Sequence, residues 1–283
     1  MEIISDSNWT RWNQPEFHPK FHQYWFERVD IDFWYDLSDT YLSSLLTLFI
    51  TTYLGSIFYL HRYMQNRQPF SLRIPLFLWN STIGALSIMA LYRISMELSY
   101  MLSLPDGFYR SICLREGLHM SSAFWAVCMI ILKPLFMIDT MFLILRKKPV
   151  DAVHVIHHTL AILFGALMVK ISEPMLRWLG IANMFVHAVD YPLLALRSIK
   201  IRVPKSRQIM AALEIIQMIF CLVCTAYTLI VRASGTYCVR HSKSVLVTYI
   251  VYFGLLILLI ATMLSPEYWR RGIKKVKEDM KTE

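Results

Sequence analysis

Residues 121–170 read SSAFWAVCMIILKPLFMIDTMFLILRKKPVDAVHVIHHTLAILFGALMVK. Two long apolar runs flank the basic knot Arg146-Lys147-Lys148, and Lys133, Asp139, His154, His157 and His158 are set inside those runs. A bilayer's hydrocarbon core takes about 20 consecutive apolar residues at ~1.5 Å rise each, so both runs read as spans. Extending the reading outward gives apolar stretches at 40–60, 74–94, 121–145, 152–169, 175–196, 209–231 and 245–264. The expected fold is all-α: a polytopic membrane protein with seven transmembrane helices, in a single integral membrane domain over 1–283. Composition agrees, at 56% hydrophobic and 17% charged, where soluble domains carry about a quarter charged residues.

Residues 1–30 lack the apolar core of a cleavable signal peptide, so the first span is expected to act as the insertion signal. Lys and Arg beside short loops favour the cytosol. With seven spans, one alternating set of loops holds 17 of them and the other 10, which predicts a lumenal N-terminus and a cytosolic C-terminus. The net charge of +9 then reflects this sorting and attraction to anionic lipid, or in part a phosphate-rich substrate. Nucleic acid is not expected, because no basic surface interleaved with aromatics lies outside the spans.

Cys113 and Cys238 both fall in loops assigned to the lumen, where a disulfide between them and a pair of free thiols are both open readings. Cys221-x-x-Cys224 lies in an apolar run and reads as packing. Asn8-Trp-Thr10 is a glycosylation sequon on the expected lumenal side; Asn80-Ser-Thr82 is within a span and should be unmodified.

Ionisable and amide side chains are costly in hydrocarbon and are functional candidates by default. Depth along each helix can be counted from its basic edge. His154, His157 and His158 lie about 9, 14 and 15 Å from Lys148. Asp190, His187 and Asn183 lie about 10, 15 and 21 Å from Arg197. Asp139 and Lys133 come at about 10 and 20 Å from Arg146, and Glu214 and Gln217 at about 10 and 15 Å from Arg207. Four helices thus place polar groups in one stratum, which argues for a functional cavity over structural polar contacts between helices. Two chemistries suit it. Imidazoles could ligate a metal, but only four of the nine His are in the layer, whereas iron-dependent membrane oxygenases need about eight. The favoured reading is neutral imidazole as nucleophile or general base, since low dielectric disfavours imidazolium.

The string Lys133-x-x-Phe-x-x-Asp139-Thr140, Leu-Arg-Lys-Lys148, His154-x-x-His157-His158 and Asn183-x-x-x-His187-x-x-x-Tyr191 resembles the fatty acid elongase (ELO) family, as does Tyr63-Met-Gln-Asn-Arg-Gln-Pro-Phe70. The resemblance implies a very-long-chain 3-oxoacyl-CoA synthase, an acyltransferase of the endoplasmic reticulum membrane that condenses acyl-CoA with malonyl-CoA and releases CO2 and CoA. It also implies a helix ring enclosing an acyl tunnel, and no cofactor beyond the two substrates. By resemblance, His157 and His187 form an acyl-imidazole and assist carbon–carbon bond formation, with His154 and His158 orienting them. Lys133, Asn183 and Gln217 would stabilise thioester or enolate oxygen. Asp139, Tyr191 and Glu214 would complete the substrate site, and Lys147 and Lys148 would meet CoA phosphates. Implied partners are membrane lipid and the ketoreductase, dehydratase and enoyl reductase of the elongation cycle, with room for a homodimer.

Three departures stand out: Phe136 where the family usually has Glu, Asp190-Tyr191-Pro192 after His187, and Ala211 and Glu214 in the sixth span. Pro192 is expected to kink the fifth span. Phe136 favours an alternative in which an elongase-like protein has lost catalysis and acts as a binding or scaffold component of the elongation complex. A seven-helix receptor shares the topology but has no need of such a polar layer. The tail Lys274-Lys-Val-Lys-Glu-Asp-Met-Lys281-Thr-Glu resembles a dilysine retrieval signal with Met280 at one required position; otherwise it is a solvated basic tail.

Overall fold

The computed structural model describes residues 22–28, 30–116, 118–150, 152–201 and 203–264. The Asn8 sequon, Arg202 and the basic tail from Arg270 lie outside the described residues. Within them the protein is helical: α1 (Ile31–Met64), α2 (Arg73–Ser103), α3 (Gly107–Cys113), α4 (Met120–Phe136), α5 (Ile138–Leu145), α6 (Ala152–Lys170), α7 (Leu176–Ser198), α8 (Ser206–Ala233) and α9 (Ser242–Leu264).

Among the described residues six stretches are long and apolar enough to cross a membrane: Thr40–Met64, Arg73–Ser103, Met120–Leu145, Leu176–Ser198, Ser206–Ala233 and Ser242–Leu264. The chain is a multi-pass membrane protein. The expected span at 152–169 is the exception. It forms α6, but the apolar stretch His154–Lys170 is shorter than the other six and reaches only ~26 Å. Its neighbours α1, α4 and α9 surround it, so protein rather than lipid meets much of its surface.

The helices close into a ring, because α2 contacts α4, α4 contacts α6, α6 contacts α9, α9 contacts α8, α8 contacts α7, and α7 returns to α2. Outside this ring, α1 rests on α5 and α6, with only 6% of its span buried against 33% for those of α2, α7 and α8.

Two ends can be distinguished by their contacts. At the basic end, the Phe70 N–H donates to the Leu145 carbonyl at 3.0 Å, and Lys147 Nζ donates to the Gln65 carbonyl at 3.1 Å. Arg146, Arg197 and Arg207 approach one another there. At the opposite end Cys113 and Cys238 form a disulfide. Buried ion pairs lie in this half of the molecule: Glu173 with Arg240, Glu97 with Arg177, and Glu27 with Arg93. Cys221 and Cys224 are free thiols buried in the apolar core beside this end.

Two prolines act differently. Pro134 lacks an N–H and crowds the preceding turn, and three residues later the helix breaks at Met137. The chain restarts as α5 with Asp139 in its first turn, where the helix dipole favours a carboxylate. Pro192, in contrast, does not end α7. Its ring sits against Gly84 of α2, where an added Cβ would lie 3.0 Å from Pro192 Cδ. Gly84 therefore permits the close approach of the ring's most extensively paired helices, α2 and α7. Gly84→Leu is expected to cost about 1–3 kcal/mol by overpacking, measured as a lowered unfolding midpoint in detergent.

Glu27 provides a pH test. Burial alone would raise its carboxyl. Hydrogen bonds from Arg93, the Tyr24 backbone N–H, Ser121 and Trp125 outweigh that effect and hold it at about 2, below the usual 4.5. A carboxyl depressed on folding stabilises the folded state above its unfolded value, and that contribution is lost as pH falls through its folded value. The stability difference between the native protein and Glu27→Gln should therefore shrink as pH drops from about 4.5 to about 2. A difference that stays constant over this interval would refute the assignment.

Candidate functional site

The ring encloses a cavity of about 190 Å³, with walls contributed by all six of its helices. Four expected site residues stand on the wall: Lys133 of α4, His157 of α6, Asn183 of α7 and Gln217 of α8. Lys133 crosses between helices. Its stem lies along Gly165 of α6, and its Nζ donates to Asn183 Oδ1 at 3.0 Å. A cation in this setting requires oxygen partners, and one neutral amide leaves the ammonium with further donor capacity. His157 and His187 both lie within its electrostatic range.

The three imidazoles of α6 stack along its first turns. The His154 and His158 ring centroids are 4.3 Å apart, and those of His157 and His158 5.9 Å. Only His157 among them reaches the cavity wall. His187 is not on that wall either. It packs against Phe136 at 5.2 Å and Tyr191 at 5.4 Å between ring centroids. Phe136 is buried and also touches Tyr191, at 5.7 Å. The position where a carboxylate is usual is thus filled by an apolar ring against a candidate histidine.

Asp139 forms a separate polar knot. Its two oxygens accept from the Trp79 indole N–H at 2.6 Å and the Tyr191 hydroxyl at 2.7 Å. Next to it, the Tyr53 and Thr140 hydroxyls are hydrogen-bonded at 2.8 Å. Trp79 and Tyr53 carry none of the carboxylate, amine, imidazole or amide groups that mark the layer in the sequence. Depth counting could have found Trp79, which is ~9 Å from Arg73 and hence level with Asp139.

The remaining expected residues lie nearer the basic end. Glu214 of α8 approaches Asp190 of α7, and neither is on the cavity wall. Asp190 Oδ1 is buried and has no hydrogen-bond partner among the described residues. Lys147, in the left-handed region at φ 51°, and Lys148 are exposed. Among the described residues no three His, Cys, Asp or Glu side chains converge as metal ligands would.

A membrane-embedded helix ring around a cavity with imidazole, amine and amide groups on its wall defines the class. The comparisons with known proteins specify it further. Residues 40–276 match the ELO: GNS1/SUR4 family, and the chain belongs to that family. It is 32% identical over 190 residues to long chain fatty acid elongase 2 of Caenorhabditis elegans, covering 65% of this chain and 69% of the relative. It is 30% identical over 215 residues to very long chain fatty acid elongase 6 of Homo sapiens, covering 75% of this chain and 80% of the relative.

Removing a donor to Asp139 should destabilise the site. Tyr191→Phe and Trp79→Phe are each expected to cost about 1–3 kcal/mol, read as lowered unfolding midpoints. Because the two donors share one carboxylate, the double variant should depart from the sum of the two.

Proposed function

We propose that the protein is a 3-oxoacyl-CoA synthase, an acyltransferase condensing acyl-CoA with malonyl-CoA in the endoplasmic reticulum membrane. The observation that carries this reading is His157 on the wall of a membrane-embedded cavity beside the Lys133–Asn183 pair, in a chain of the elongase family. The basic end then faces the cytosol, where Arg146, Lys147, Lys148, Arg197 and Arg207 meet the CoA phosphates. The N-terminus is lumenal and the C-terminus cytosolic, with α6 counted as the seventh crossing, and the cavity is the acyl tunnel.

In the first step an imidazole nitrogen of His157 attacks the thioester carbonyl. The carbon–sulfur bond breaks, CoA leaves as the thiolate and takes up a proton, and the acyl group remains on imidazole. Malonyl-CoA then loses CO2, and the bond's electrons form an enolate of the remaining acetyl thioester. The enolate carbon attacks the acyl-imidazole carbonyl, forming the new carbon–carbon bond and releasing His157. Lys133 Nζ and the Asn183 and Gln217 amides would hold the carbonyl or enolate oxygen as charge develops there. His187 assists from the adjacent layer, and His154 and His158 orient His157.

A second reading rests on Phe136. Its ring occupies the side of His187 where the family usually has an acid, which favours a catalytically silent member that binds acyl-CoA for the other elongation enzymes. One experiment distinguishes the two: microsomes carrying the protein are incubated with acyl-CoA and labelled malonyl-CoA. Labelled 3-oxoacyl product that falls at least about a thousandfold in His157→Ala is expected. No product from the native protein at any acyl length would sink the first reading in favour of the second, and full activity in His157→Ala would remove the acyl-imidazole step.

A further inference from the structure

Three buried arginines of this protein are each matched to a carboxylate: Arg93 to Glu27, Arg177 to Glu97 and Arg240 to Glu173. Lys133 is not. Its Nζ donates to the neutral Asn183 amide oxygen at 3.0 Å, and among the described residues no carboxylate forms an ion pair with it. A cation inside a membrane protein is costly without an anion, and one amide oxygen answers only one of the ammonium's donors. Neighbouring acids are already committed. Asp139 gives both oxygens to Trp79 and Tyr191. Glu97 stands on the same cavity wall, but it is held by Arg177 and by the His119 N–H at 2.7 Å. Its partner Arg177 lies ~9 Å beyond Asn183 along α7.

The groups that share the wall with Lys133 are also donors. Asn183 has given its oxygen to Lys133 and keeps its amide N–H groups for an acceptor. Gln217 and His157 can each offer an N–H as well. Away from this cluster the wall turns apolar, with Met129 and Ala126 of α4, Ala161 and Phe164 of α6, and Met184 of α7. A cation among donors beside an apolar bore is complementary to an anionic oxygen head on an alkyl chain.

We propose that the cavity binds unesterified long-chain carboxylates, with the head group on Lys133 and the chain along the apolar wall, and that they compete there with the acyl thioester. The inference rests on the reading of the cavity as an acyl site and goes beyond it. A thioester carbonyl brings Lys133 only a partial charge, whereas a carboxylate brings the full anion that the protein does not supply. The carboxylate also lacks a thiolate leaving group, so it fills the site without acylating His157.

The test places different head groups on one alkyl chain and uses the purified full chain in lipid nanodiscs. Thermal stabilisation should fall in the order palmitate, hexadecanol, hexadecylamine, with palmitate bound about ten- to a hundredfold more tightly than the alcohol. Malonate, which has the charge without the chain, should give no shift. Lys133→Met should remove the preference for palmitate over the alcohol. In the condensation assay palmitate should raise KM for acyl-CoA and leave kcat unchanged. Equal stabilisation of the native protein by the three head groups overturns the proposal, and this arm needs no variant to fold. A palmitate preference that survives in Lys133→Met, or a malonate shift equal to that of palmitate, also overturns it. A palmitate preference that Lys133→Met removes, without condensation product from the native protein, keeps the carboxylate site and removes the synthase reading. Condensation product without any head-group preference does the reverse.

Discussion

Hydrocarbon offers no hydrogen bonds, so the polar groups that this chain carries into the membrane depend on partners within the protein, and the charged and ring-bearing ones find them on other helices. The structure is organised by that requirement. Lys133 of α4 reaches Asn183 of α7, Asp139 of α5 gathers Trp79 of α2 and Tyr191 of α7, and Tyr53 of α1 meets Thr140 of α5. Each bond crosses a helix boundary, and each would be an expense if its two helices drifted apart. The polar layer thus fixes the spacing of the ring while presenting the chemistry inside it.

The two ends of the ring answer the same requirement differently. Toward the disulfide, charges pair with charges and with backbone carbonyls: Arg115 donates to the Ser172 and Ile171 carbonyls, and Arg240 to Glu173 and the Thr228 hydroxyl. Such pairs are costly to separate, and the disulfide adds a covalent tie. The basic end gathers guanidinium groups of like charge and holds exposed lysines. It is an arrangement that gains from an incoming anion.

Hydropathy made the membrane class and most crossings legible, because a run of apolar residues has no other stable setting. At 152–169 the signal is weaker: three imidazoles at one end of α6 and Lys170 at the other leave an apolar stretch shorter than the other six. Depth counting placed Lys133, His157, Asn183 and Gln217 in one layer, and the structure brings all four to one cavity. It could not say which way each side chain turns, because rise along a helix follows from sequence whereas rotation about its axis is settled by packing. His187 therefore turned out to face Phe136, and Asp190 and Glu214 to lie off the wall. The buried role of Glu27 and Glu97 was hidden for a related reason. Each belongs to a pair that forms only when segments distant in sequence meet.

The shortness of α6 has a consequence for how the protein is made. A segment of this length with three histidines has a weak claim on the bilayer by itself. Its shelter comes from α1 and α4, which precede it, and from α9, which follows it by some seventy residues and is the last helix described. During synthesis the histidine-bearing helix must wait in a half-built enclosure until α9 arrives to close the remaining side. Completion of the site is thereby tied to the arrival of α9, and a product lacking α9 would expose an unsheltered polar helix.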